Sequence, residues 1–573
     1  MRSAANHQIH LLVFASFSLF CIGCSSTAYR KNADRDVYRI IADVEESIFG
    51  KTSDFTINTE HADRKPKDVA VEEIFEDRNR EERVTLSIDE AIQLAVNNNR
   101  QYQGEKEQLY LTALSLTGER HEFRPQFFAR SAATRVHASD GEKSESVNSD
   151  AGIGQLLSTG ADISVSIAND ILEFLTGDPR KSATSTLSFN VFQPLLRGAG
   201  WKIAAENLKQ AERNVIYAVR DFAHFQNEFA LDIVIEYFRL LQQKDTIYNE
   251  YNNYQSRIES TRYLRARSVD REKALDVNQA EQAELSSRNR YINSIVRYRN
   301  SLDSFKIRLG LPQTVDLRLQ DAEMESLEQI GLILSGLDVD TSFRYATEHR
   351  LPLLNAIDQF EDSKRKTVVT ANRLKPSLGL FASASVDSEE PTNYDRFDFD
   401  EARRSVGVQL ELPLNRRNER NSYRASLISF ESELRSLSLT LDELRSDIER
   451  NIRELERLHQ NYQIQTNAVA LAEKQVSGAQ LSIESGNAIF RDLEEAQDDL
   501  IAAQNAQTAA LVDYLESRLN LLLDIGILIT DTNRFWLTDA SALSLPERLS
   551  ANAVSTTLSE DGSILTPDEI FSQ

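Results

Sequence analysis

Residues 187–198 read Leu-Ser-Phe-Asn-Val-Phe-Gln-Pro-Leu-Leu-Arg-Gly, a strand from Leu187 to Gln193 closed by Pro194. Proline suits a strand exit because it has no N–H to give to the ladder. The arrangement returns at Val406 to Glu411 before Pro413. Upstream of each copy, an earlier strand follows a helix. Ala95 begins a helical stretch that reaches Arg124-Pro125 and then the strand-like Gln126 to Val136, while Ala346 begins one that reaches Lys375-Pro376 and then Ser377 to Val386. The two alanine-to-proline intervals are equal. Downstream, Ala274-Leu275-Asp276-Val277 is matched by Phe490-Arg491-Asp492-Leu493, and Arg308-Leu309-Gly310 by Asp524-Ile525-Gly526, with the same Asp-to-Gly spacing. Each half therefore reads helix, strand, strand, long helix, turn, long helix, the signature of an internal duplication.

The long helices carry the clearest periodicity. Tyr423, Leu427, Phe430, Leu434, Leu437, Leu441, Leu444 and Ile448 alternate steps of four and three, a coiled-coil seam. Ile452 follows Ile448 by four where three is due, a stutter that locally unwinds the supercoil. Phe222, Phe225, Phe229 and Ile233 form a similar stripe in the first half. The stretch from Glu419 to Gln480 holds no proline, and as one helix it would extend about 90 Å at about 1.5 Å per residue.

No apolar run after residue 24 is long enough for a transmembrane helix, so a membrane-spanning part has to come from strands. Segments such as Phe127-Phe128-Ala129-Arg130-Ser131-Ala132 and Ser164-Val165-Ser166-Ile167 have barrel-strand character. So few strands per chain cannot close a membrane barrel, which implies an oligomer. The amino terminus reads as a secretory signal over residues 1–23, with Arg2 and His7 ahead of the apolar run Leu11 to Phe20. At Cys21-Ile22-Gly23-Cys24 the pattern is that of a lipobox, which makes Cys24 the acylated first residue of the mature chain. Ser25 is not the Asp that favours inner membrane retention.

The net charge of −24 argues against nucleic acid, whose phosphates need clustered Lys and Arg. No phosphate-cradling glycine loop, His-Glu-x-x-His pattern or Ser-centred elbow is present, so no enzyme chemistry or cofactor is indicated. His121, His137, His224, His349 and His459 lack metal-ligand spacing.

Taken in order, Leu86-Ser87-Ile88-Asp89-Glu90-Ala91, Gln193-Pro194-Leu195-Leu196-Arg197-Gly198, Leu275-Asp276-Val277 with Gln279-Ala280-Glu281, and Arg491-Asp492-Leu493-Glu494-Glu495-Ala496-Gln497 resemble the TolC family of outer membrane efflux proteins over Leu86 to Leu528. The resemblance implies an α+β membrane protein whose duplicated protomers form a trimeric outer membrane β-barrel continued by a long α-helical coiled-coil tunnel. It implies a channel subunit of a tripartite efflux or type I secretion system, working with a periplasmic adaptor (a membrane fusion protein) and, indirectly, an inner membrane pump or ABC exporter. The organisation is then a signal peptide (1–23), an N-terminal periplasmic segment behind the lipidated Cys24 (24–85), a first repeat (86–312), a second repeat (338–528) and a C-terminal periplasmic tail (529–573). The resemblance also makes the hairpin tips Arg267, Ser268, Val269 and Asp270, and Ser485, Gly486, Asn487 and Ala488, the adaptor-docking sites. It aligns Asp492 and Glu495 with acidic residues of the pore constriction.

The chain departs from that pattern in two ways. The inter-strand interval of the first half is about thirty residues longer than that of the second, and Gln155-Leu156-Leu157-Ser158-Thr159-Gly160-Ala161-Asp162 within it reads as strand, turn, strand. The expectation is an extracellular loop, with an added pair of barrel strands as the alternative. The first tip also lacks the glycine found in the second. The competing function is a structural coiled-coil lipoprotein of the cell envelope that conducts nothing.

Overall fold

A computed structural model describes residues 26–139, 141–176, 181–268, 274–330, 332, 337–389, 393–485, 487 and 489–528. Cys24, Val269, Asp270, Gly486, Ala488 and the tail 529–573 lie outside the described residues. The chain divides into two compact units, one within Met1–Ile57, Glu107–Arg220 and Asn355–Leu437, the other within Asn58–Lys106, Asp221–Leu354 and Ser438–Gln573.

In chain order the helices and strands begin with α1 (Ser26–Phe49), α2 (Val71–Arg78), β1 (Arg83–Leu86), α3 (Ile88–Asn98), α4 (Arg100–Glu122), β2 (Gln126–His137), β3 (Lys143–Leu156), β4 (Asp162–Phe174) and β5 (Lys181–Pro194). Then come α5 (Trp201–Ala204), α6 (Glu206–Ser268), α7 (Ala274–Arg308), β6 (Asp316–Leu319), α8 (Ala322–Ile330), α9 (Val339–His349) and α10 (Leu351–Asn372). The last are β7 (Ser377–Glu389), β8 (Asn393–Phe397), β9 (Arg403–Glu411), α11 (Arg417–Glu484) and α12 (Phe490–Ile525). The proline-free stretch is a single helix, α11, of 68 residues.

The first unit is built on an antiparallel sheet in the order β2-β3-β4-β5-β7-β9, with β8 pairing only the end of β7 at Ser388 and Glu389. Register puts successive side chains on opposite faces. On one face stand Val147, Ile153, Ile163, Val165, Ile167, Leu187, Phe189, Val191, Leu380, Val406, Val408 and Leu410. The other face carries mostly Ser, Thr, Asn, Asp and Gln, with Phe128 over Gly152, Phe192 over Gly379 and Phe381 over Gly407. A Cβ on any of those three glycines would meet a phenyl ring at 2.4 to 2.7 Å, so the glycines make room for these rings. Much of the apolar face is uncovered, with Val406 77% exposed and Val408 64%, while Ala183, Ser185 and Val386 at one end of it are buried. A water-soluble sheet buries such a face, whereas a lipid-facing strand keeps it outward.

The structure shows the insertion to be a regular hairpin of the sheet and not an irregular loop. Gln155 to Asp162 is indeed the end of β3, a turn and the start of β4, closed by Leu157 N–H to Ala161 O at 2.7 Å. Both β3 and β4 are full members of the sheet, because their alternation matches that of β2 and β5 row by row. The segment behind Cys24 is also more ordered than its composition suggests. Its α1 buries Val37, Ile40 and Ile41, and it docks on α4 through Tyr110 Oη to Asp34 Oδ1 at 2.8 Å and a Tyr38–Tyr110 ring contact at 5.9 Å.

The second unit holds two equivalent corners. Ser87 caps α3 reciprocally, its N–H reaching Glu90 Oε2 at 2.8 Å while the Glu90 N–H reaches Ser87 Oγ. Asp338 caps α9 by accepting from the Thr341 N–H. Ala95 and Ala346 are both fully buried, and the helix breaks four residues later, at Asn99 and Arg350. Gly310 (φ +75°) abuts Asn98 at the first break and Gly526 (φ +82°) abuts His349 and Arg350 at the second. Asn99 Nδ2 then donates to Arg308 O at 2.6 Å, and Arg350 pairs with Asp524 at 3.1 Å. Burial pushes the Asp524 carboxyl up, and Arg350 opposes that. A parallel pairing of β1 with β6 completes the first corner.

Candidate functional site

The acidic run at the start of α12 is sorted by helical geometry. Leu493 and Ala496 are buried, and Phe490 packs with Leu264 of α6 and Ala280 of α7. Asp492, Glu495 and Asp499 are exposed on one side, three and four residues apart and so on one face. Glu494 and Asp498 turn to another face and meet the first hairpin. There Arg257, only 1% exposed, donates to Glu494 O and to Asp498 Oδ1, each at 2.9 Å, with the Glu494 carboxylate at 3.8 Å. Arg290 reaches Asp498 from α7 at 3.0 Å and Glu250 at 3.4 Å. Burial raises the Glu494 carboxyl above its ordinary range, and Arg257 partly offsets this.

Asp492 has a local task as well. Its carboxylate accepts from the Ile489 N–H at 3.2 Å, closing the first turn of α12. At the second tip, the Ser485 N–H donates to Leu481 O at 3.1 Å and the Asn487 N–H to Ser482 O at 2.8 Å, and both residues are exposed. At the first tip Arg267 and Ser268 are the last residues of α6. Arg257 and its acceptors lie more than 230 residues apart in sequence, so no local pattern pointed to them.

In the first unit a cavity of about 600 Å³ is lined by α6, α10 and α11, and its central carboxylate is held by neighbouring side chains. Asp362 accepts from Tyr217 Oη at 2.7 Å, Gln210 at 3.0 Å and Arg365 at 2.8 Å. Burial pushes this carboxyl up, yet those hydrogen bonds and Arg365 prevail and hold it below the usual range. The same burial and the Asp362 bond push Tyr217 up to about 12. The network fastens α6 to α10.

The sequence matches no protein-family model and no curated protein. Solved structures do match. The outer membrane channel CmeC of Campylobacter jejuni aligns at 13% identity and TM-score 0.58, over 78% of this chain and 87% of its own. The outer membrane protein VceC of Vibrio cholerae aligns at 14% identity and TM-score 0.56, over 77% and 96%. The open-state MtrE outer membrane channel of Neisseria gonorrhoeae aligns at 12% identity and TM-score 0.56, over 77% and 88%. The chain has the outer membrane channel fold. In terms of that fold, the acidic face and the Arg257 lock belong to the unit of the long hairpins, and the apolar sheet face to the other.

Proposed function

We propose that this chain is the subunit of a trimeric outer membrane channel that conducts substrates passively from periplasm to exterior, in an efflux or type I secretion system. The observation that carries this reading is the largely uncovered apolar face of a sheet whose outer edges, β2 on one side and β9 on the other, have no strand partner among the described residues. Free strand edges in lipid leave backbone N–H and C=O groups without partners, so neighbouring copies have to supply them. The seam of α11 points the same way: Leu434 is 47% exposed in the single chain and wants a partner surface. The paired corners of the second unit support a duplicated protomer.

In this reading the sheet closes into the barrel, the hairpins build the tunnel, and the tips at Arg267 to Asp270 and Ser485 to Ala488 meet a periplasmic adaptor that links to the pump. Cysteine at Ser485 is expected to crosslink to an adaptor hairpin in cells, and crosslinks confined to sheet residues would exclude tip docking. The anchor is Cys24, so palmitate label should enter the wild type and be lost in Cys24→Ser. For the function itself, purified protein should migrate as a heat-sensitive trimer and give discrete conductance steps in planar bilayers. A trimer that never conducts would favour the scaffolding lipoprotein instead.

A further inference from the structure

The hairpin that enlarges the first half pairs along its whole length with its neighbours. The β2–β3 ladder runs from Gln126↔Gly154 to His137↔Lys143, β3–β4 from Ser144↔Phe174 to Leu156↔Asp162, and β4–β5 from Asp162↔Phe192 to Glu173↔Lys181. Val147, Ile153, Val165 and Ile167 stand on the apolar face, and Ser146 and Ser166 on the polar one. A hairpin held in water would expose those aliphatic side chains for no return. Counted along the sheet, each chain supplies six strand positions: β2, β3, β4, β5, β7 and β9. The number is even and all pairings are antiparallel, so β9 of one copy meets β2 of the next antiparallel, with the apolar face unbroken.

Resting on the trimeric reading above, we propose that three copies close an eighteen-stranded barrel (three times six) with β3 and β4 in the lipid-facing wall, where four strands per chain would give twelve. At about 4.8 Å between strands and a tilt of about 40°, eighteen strands close at a backbone diameter of about 36 Å and twelve at about 24 Å. That is porin width, and the polar inner face suits bulky hydrated cargo.

The test is single-cysteine labelling of the full-length protein in isolated outer membranes with a membrane-impermeant maleimide. Cysteines at Ile153 and Val165 should label at least tenfold more slowly than cysteines at Ser146 and Ser166, and as slowly as cysteines at Leu380 and Val408. Slow labelling at Leu380 and Val408 with fast labelling at both faces of β3 and β4 overturns the eighteen-stranded barrel and leaves a twelve-stranded channel standing. Fast labelling at Leu380 and Val408 as well removes the sheet from the membrane and overturns the channel reading itself.

Discussion

Channels of the double variant Asp492→Asn/Glu495→Gln are expected to lose block by trivalent cations applied from the periplasmic side, their blocking constant weakening more than tenfold against wild type. In the trimer proposed above, two exposed carboxylates per chain would become six around a threefold axis, and a constriction with low-dielectric walls would focus their field. A unit charge pair at about 4 Å is worth about 1 kcal/mol even in water, so a trivalent ion beside several carboxylates gains well over the roughly 1.4 kcal/mol that equals a factor of ten. The amides are chosen because Asp492 also accepts from the Ile489 N–H, and an Asn oxygen can keep that bond while the charge is removed. Glu494 and Asp498 stay untouched, since their partners are Arg257 and Arg290. Single-channel recording in planar bilayers reads the result. Equal block in both proteins would make Asp492 and Glu495 solvated surface charge, which is how runs of acids on helices usually behave.

Much of this architecture was legible because it is periodic. Equal intervals from Ala95 to Pro125 and from Ala346 to Pro376 place two helix breaks and two strand starts, and the structure puts α3–α4–β2 and α9–α10–β7 there. Prolines mark strand exits by chemistry alone, and Pro194 is the last residue of β5. What escaped was decided by long-range partnership. Gln155 to Asp162 announces a hairpin, but local alternation cannot say whether it stands free or joins a sheet, and only the ladders to β2 and β5 settle that. The α1 signal was present in Val37, Ile40, Ile41 and Val44, spaced for one helix face, but was masked by the acidic, polar composition around it. Within 491–499 all acids look alike in sequence. Only the neighbouring hairpin distinguishes the pair it engages, Glu494 and Asp498, from the exposed Asp492 and Glu495.

Arg257→Met should loosen the seating of α12 on the first hairpin, with an expected loss of about 3 kcal/mol, near the low end for removing one partner of a buried ion pair. The low end applies because Asp498 is 47% exposed and retains Arg290. Glu494 is the residue left stranded. Its carboxyl is already raised by burial, and Arg257 is the larger of the two cations that lower it, Arg290 being the other, so the variant raises it further. A carboxyl whose folded value lies above its unfolded value favours folding most below the unfolded value, and that advantage is lost as pH rises through the folded value. The deficit of Arg257→Met should therefore be largest at neutral pH and shrink as pH falls and Glu494 takes up its proton. Adding Glu494→Gln should recover part of the loss at neutral pH by removing the stranded charge. Hydrogen exchange reports this locally: amides of residues 257–264 and 493–500 should exchange about a hundredfold faster in Arg257→Met at pH 7, consistent with about 3 kcal/mol of local opening. A deficit equal at pH 5 and pH 7, and unmoved by Glu494→Gln, would mean that Arg257 acts by filling space alone.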